Sequence, residues 1–275
     1  MGLEPTTPCL QSRCSSQLSY VPLLETLRIA GRQRHHLGGF AWDPGDVSTP
    51  LEIDRSAPVR RIDLDESSWV EVVDGFVRSP DEQMRHFLDG VRWQATEVLR
   101  YDRYVPERRL SAAVRADDHP LTRQTALHLD ARYRVAWTGV AAILYRDGED
   151  FQGFHGDREM RWLDDTLIAI VVLGERRPFV LRPRTASDRS DRTPAGTHPS
   201  DVVLTPGHGD LLVMGGANQR DWLHTVPPAV TTEPRISLTW RWTSRRGRPD
   251  TNPTFYDGRS FSNSPRRPAT RTLGV

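Results

Sequence analysis

Lysine is missing from this 275-residue chain, so all 37 basic residues are arginine. A GC-rich coding bias produces that shift without regard to function, although each guanidinium forks onto carboxylates and phosphates in a way an ammonium does not. Cysteine is scarce: Cys9 and Cys14, in a polar N-terminal segment, are too few for a zinc cluster or a disulfide framework, and a reduced, cytoplasmic setting is the expectation. No stretch approaches the roughly 20 apolar residues of a membrane span, and nothing near Met1 resembles the apolar core of a signal peptide. An excess of either charge is also lacking, because 36 acidic residues leave a net charge of +1 and no global pull toward nucleic acid. The distribution is less even. Beyond Trp242 seven arginines face two aspartates, a tail able to attract phosphates.

The length suffices for one domain with a full jelly-roll core, with or without tails. Residues 1–60, rich in Pro, Ser, Gly and Arg, read as an extension that is poorly ordered in part, 61–243 as the domain, and 244–275 as an arginine-rich tail. Residues 69–73 alternate toward a strand. Ser79-Pro80-Asp81-Glu82 then offers an N-cap, a first-turn proline and acidic residues for a helix to about Asp89, with Met84, Phe87 and Leu88 on one stripe. A second helix is expected over 121–133, with Leu121, Ala126, Leu127 and Leu129 apolar. Strands follow at 140–145, 166–173, 178–181, 202–204, 211–214 and 235–242, broken by a long loop over 185–200 and a tight turn at 206–209. Helices first and many short strands after them give an α+β chain: a double-stranded β-helix, or jelly-roll, core with N-terminal helices packed on it.

His155 and Asp157 stand two residues apart in Phe154-His155-Gly156-Asp157, so on a strand both side chains project to one face and can grip one ion. A lone His-x-Asp also fits a surface hydrogen-bonded pair. His208-Gly209-Asp210 repeats the spacing, but its glycines at 207 and 209 assign that copy to a turn. Two imidazoles and one carboxylate leave three cis positions open, the arrangement of non-haem Fe(II) oxygenases, and His224 is the candidate for the second imidazole.

Residues 235–242 alternate with period two: Ile236, Leu238, Trp240 and Trp242 share one face, Arg235, Ser237, Thr239 and Arg241 the other. A row with a guanidinium at each end and hydroxyls between suits a dicarboxylate. Beside an iron site, that ligand suggests 2-oxoglutarate.

Leu144-Tyr145-Arg146-Asp147-Gly148, His155-Gly156-Asp157-Arg158-Glu159, Leu173-Gly174, Arg177-Pro178-Phe179, the Gly209 to Gly216 segment, His224 and the arginine strand occur in the AlkB order. Over about residues 135–243 the chain resembles the AlkB-like Fe(II)/2-oxoglutarate dioxygenases. The resemblance implies that His155, Asp157 and His224 hold Fe(II), and that Tyr145, Arg235 and Arg241 hold 2-oxoglutarate, with Ser237 where the family often has asparagine. It also implies that Glu159 meets the substrate base. One departure is Ile143, which stands where the family places the asparagine of Asn-x-Tyr and removes a polar contact.

Arg177, Arg182 and Arg184 are candidates for a groove along a nucleic-acid backbone, and Trp162 and Tyr133 for stacking on a base. The implied activity is oxidative dealkylation of 1-methyladenine and 3-methylcytosine in DNA or RNA by a monomer, consuming O2 and releasing formaldehyde and succinate. A base inside a duplex would have to be flipped out. Two alternatives stay open: an AlkB-like hydroxylase or demethylase of tRNA, protein, lipid or a small molecule, and a jelly-roll binding protein without turnover.

Overall fold

The computed structural model describes residues 51–243, except 101–102, 136, 138, 158–159, 161–162 and 187–191, together with a short strand at 266–268; the side chains of 98–100, 103 and 266–268 lie outside the description. Nine strands form the larger sheet, in the spatial order β1 (Val59–Asp63), β2 (Ser68–Val73), β10 (Leu211–Gly216), β7 (Thr166–Gly174), β12 (Arg235–Thr243), β5 (Val140–Tyr145), β4 (Arg103–Val114), β3 (Gln94–Arg100) and β13 (Arg266–Pro268). The smaller sheet runs β6 (Gln152–His155), β11 (Trp222–Val226), β8 (Phe179–Pro183), β9 (Val202–Leu204). Every pairing is antiparallel, and the two sheets enclose a jelly-roll core.

The strand pattern follows from which faces are covered. β7 lies between β10 and β12 with apolar clusters against both its faces, so its sequence is a continuous apolar run rather than an alternation. Its residues Leu167, Ala169, Val171 and Leu173 join Ile236, Leu238 and Trp240 of β12 in one cluster, while Ile168, Ile170 and Val172 meet Phe179, Leu181 and Trp222 of the smaller sheet in the other. The first cluster also takes Met84 and Phe87 of α1 (Pro80–Gly90) and Leu121 and Leu129 of α2 (Pro120–Tyr133), so both helices pack on the outer face of the large sheet.

Local chemistry at the helix starts differs from expectation. Ser79 precedes α1 with φ 49° and makes no side-chain cap, leaving Pro80 and the acidic first turn as the start signal. In α2 the cap is His119, whose Nδ1 accepts from the Leu121 amide at 3.2 Å. Leu127 is 54% exposed, because Leu121, Thr125 and Leu129 occupy the buried stripe at spacings of four. Five strands were not foreseen: β1, the long β3–β4 hairpin, β11 and the short β13. Packed structure also reaches ahead of residue 61, since Ile53 is fully buried and bridges Val77.

Candidate metal and anion site

β6 and β11 pair with His155 directly opposite His224, which sets the two rings 4.2 Å apart between centroids. Asp157 follows just beyond the end of β6 rather than on it, and is fully buried. Its amide donates to Gln219 Oε1 at 3.0 Å, so the short helix α3 (Asn218–Asp221) sets its position. Gly156 leaves a tight fit between the two ligands, since a Cβ there would come within 3.1 Å of the Gln219 carbonyl oxygen and 2.9 Å of the mobile end of Arg184. One donor atom from each of His155, Asp157 and His224 falls within 4.8 Å of the others.

The protonation states suit a cation. Nδ1 of His155 lies 2.9 Å from the Gly153 carbonyl, which can only accept, so the proton sits there and Nε2 keeps its lone pair. Burial, with help from the Arg109 and Arg241 charges, pulls this histidine down to about 4 against the attraction of Asp157. Burial and the neighbouring His155 ring likewise hold His224 well below its usual range. For Asp157 burial pushes upward, but Arg241, His155 and His224 prevail and hold the carboxyl near 2. Two neutral imidazoles and one carboxylate therefore face each other, and Asp157 Oδ1 and His224 Nδ1 are buried without a hydrogen-bond partner. A divalent first-row cation fits this donor set.

On the inner face of β12, beside this triad, Arg235, Ser237 and Thr239 are all buried. Arg235 Nη1 donates to Ser237 Oγ at 2.6 Å, Nε has no partner, and among the described residues no carboxylate lies within 4.0 Å of the group. Burial, helped by Arg177 and opposed by Tyr145, depresses this guanidinium to about 10. An uncompensated buried cation is costly, and an anion bound against it relieves that cost. Tyr145 is the cross-strand neighbour of Arg235, and Ile143 that of Ser237, so an apolar, buried side chain stands beside the polar row at that position. Arg241 places Nε 2.5 Å from Asp157 Oδ2, while its two terminal nitrogens make no hydrogen bond to the described residues. It thus touches the carboxylate of the triad as well as facing the anion chamber.

The sequence profile of the 2OG-Fe(II) oxygenase superfamily matches residues 78–241. The chain belongs to that superfamily. Fe(II), 2-oxoglutarate and O2 are what a site of this family takes, and the triad beside the buried Arg235 fits the first two. Among curated relatives, the Arabidopsis thaliana DNA oxidative demethylase ALKBH2 is 33% identical over 141 residues, covering 46% of this chain and 44% of that protein. The human alpha-ketoglutarate-dependent dioxygenase alkB homolog 3 is 30% identical over 124 residues, covering 45% and 42%. The chain therefore matches less than half the length of either relative, and over that part it is similar to these AlkB homologues. A solved prolyl hydroxylase of Trichoplax adhaerens, in complex with a hypoxia inducible factor peptide fragment, overlaps with TM-score 0.45 and 13% identity over 62% of this chain and 82% of that one, too distant to speak for this protein.

Substrate-side expectations fare differently. Arg182 is buried and not a groove cation: Nε and Nη2 grip Asp201 at 2.6 and 2.9 Å, and further bonds reach the Thr193 and Pro194 carbonyls. It clamps the loop before β9 and rests 4.5 Å over the Phe154 ring, next to His155. Arg184 donates to the Gln219 and Arg220 carbonyls, and Arg177 is 1% exposed. Tyr133 gives its hydroxyl to Glu71 and stacks on Trp69, which occupies the ring that base stacking would use. Glu159 and Trp162 lie outside the described residues. Arg109, not foreseen, is buried on β4 and paired with Glu107 at 3.0 Å, and its charge acts on both histidines of the triad. No sequence signal marked it, because its hairpin was not recognised.

Proposed function

We propose that this protein is an Fe(II)/2-oxoglutarate-dependent dioxygenase that removes N-alkyl groups from nucleobases such as 1-methyladenine and 3-methylcytosine in DNA or RNA, acting as a monomer. The observation that carries the reading is the His155, Asp157, His224 triad, with Asp157 and His224 buried, beside the unpaired Arg235. The alkylated-base substrate is supported by likeness to proteins named DNA oxidative demethylase ALKBH2 and alkB homolog 3.

In this reading His155, Asp157 and His224 hold Fe(II), and the metal with O2 and 2-oxoglutarate supplies the oxidation of the N-methyl carbon. The sum is balanced: N-methyl base, 2-oxoglutarate and O2 give N–H base, formaldehyde, succinate and CO2. Arg235 and the Ser237 hydroxyl receive the distal carboxylate, and Tyr145 closes that end of the chamber. Arg241 keeps Asp157 ionised and turned toward the triad by bonding its outer oxygen. The Gly153 carbonyl fixes the His155 tautomer. Burial of Asp157, His224, Arg235 and Ser237 keeps water from these groups, which strengthens their charge contacts.

The test is incubation with Fe(II), 2-oxoglutarate, air and a 1-methyladenine oligonucleotide, with products read by mass spectrometry. Succinate with unmodified adenine, both lost in His155→Ala, is the expected result. Succinate without demethylation would overturn the substrate and move it to tRNA, protein, lipid or a small molecule.

A further inference from the structure

Arg177 is an arginine that the metal and anion sites, as described, do not use, yet it is 1% exposed and sits at their junction. Nη1 donates to the Asp147 carbonyl at 3.1 Å, and Nη2 donates to the Asp150 carbonyl at 2.9 Å and the Pro227 carbonyl at 2.6 Å. The first two acceptors belong to the loop that leaves β5 just after Tyr145, and the third follows β11, three residues beyond His224. One planar fork therefore ties the strand end carrying Tyr145 to the strand end carrying His224. A lysine also has three donors, but on one nitrogen, and so lacks the spread by which Nη1 and Nη2 serve carbonyls of two segments.

The guanidinium has a second relation to the chamber. Its carbon lies 5.3 Å from the centre of the Tyr145 ring, and that of Arg235 lies 5.5 Å from the same ring. The phenol is thus contacted by two buried cations, and among the described residues neither has a carboxylate within 4.0 Å. The charge of Arg177 disfavours that of Arg235, while Asp150, Asp147 and Glu175, farther off than a contact, partly offset the burial of Arg177. Besides holding the three carbonyls, a second charge beside an anion site adds attraction for a doubly charged ligand. The loop is fixed independently at Gly148, whose amide and carbonyl bond Thr231 and Ala229, and where a Cβ would collide with the Ala229 carbonyl. The backbone path beside Tyr145 therefore has little freedom once Arg177 is in place.

We infer that Arg177 is a positioning residue for the dicarboxylate co-substrate: it locks Tyr145 against Arg235 and adds a second buried positive charge to the chamber. This rests on the reading of that chamber as the 2-oxoglutarate site. Arg177 touches no reacting atom, so its effect falls on co-substrate affinity rather than on turnover at saturation.

The experiment is calorimetric titration of 2-oxoglutarate into Mn(II)-loaded protein, comparing wild type, Arg177→Met, Arg177→Lys and Arg235→Met, with Mn(II) affinity and melting temperature measured on each. The expected result is a 2-oxoglutarate Kd about tenfold weaker in Arg177→Met, between that and wild type in Arg177→Lys, and Mn(II) affinity unchanged in both. Kinetically, KM for 2-oxoglutarate rises while kcat at saturation stays within about twofold. Wild-type binding with an unchanged Kd in both Arg177 variants overturns the inference and leaves the co-substrate reading intact. If wild type itself fails to bind, the co-substrate reading falls and takes this inference with it. Should Arg177→Met fail to fold, Arg177→Lys decides, and a wild-type Kd there overturns the charge-and-fork role.

Discussion

Arg235 and Arg182 show why two buried arginines of one chain do different work. Arg182 finds Asp201 and two carbonyls, so its charge is neutralised inside the fold, whereas Arg235 finds one hydroxyl and a phenol ring. The distinction was invisible in sequence, because Asp201 stands 19 positions away across a loop. The triad was legible because His155 and Asp157 are close in sequence and the arginine strand advertises its polar face by period two. The geometric route was wrong in one detail, since Asp157 reaches the site from beyond the strand end with the help of Gly156 and Gln219. Arg235→Met is expected to raise KM for 2-oxoglutarate roughly 10- to 100-fold, the loss of a charge-assisted hydrogen bond of ~1.5–3 kcal/mol. The same variant is expected to melt no lower than wild type, because it removes an unpaired buried charge. Initial-rate kinetics and a thermal melt check both.

At the scale of elements, the helices and the central strands were readable from stripes and runs, and the β3–β4 hairpin was not. Its strands carry arginines and a proline through the middle of β4, and the register slips between Ala95 and Glu97, so no clean alternation survives. That omission also hid Arg109 and Glu107. The helices make two testable commitments. Phe87, 1% exposed where α1 meets the large sheet, is expected to cost ~3–5 kcal/mol on truncation to alanine, measured by denaturant unfolding.

His119 makes the second. It caps α2 through an unprotonated Nδ1, its ring lies 3.9 Å from that of His86, and burial together with His86 lowers it to about 4. A histidine depressed in the folded state takes up its proton more readily when unfolded. The stability it protects is therefore complete above about 6.5 and is lost as pH falls from there toward 4. His119→Asn, which keeps a cap without a titrating ring, is expected to flatten the fall in melting temperature across that window. An unchanged slope would remove the assignment.

For the whole molecule, a jelly roll braced by two helices brings β6, β11 and β12 together, and no helix among the described residues is long and apolar enough to cross a membrane. The near-zero net charge leaves attraction for nucleic acid to local patches, of which the C-terminal tail is the most basic in sequence. Removing residues 244–275 deletes seven arginines against two aspartates past Trp242 and also the β13 edge strand. Oligonucleotide binding is expected to weaken and its salt dependence to flatten, with 2-oxoglutarate turnover in the absence of nucleic acid unchanged.

The most direct measurement of the central claim, one site for Fe(II) and 2-oxoglutarate together, is the visible charge-transfer absorption of anaerobic protein titrated with both. Wild type is predicted to develop a saturable band that needs both ligands, absent in His155→Ala and displaced to far higher 2-oxoglutarate in Arg235→Met. No band in folded wild-type protein, or a band indifferent to both substitutions, would contradict the account.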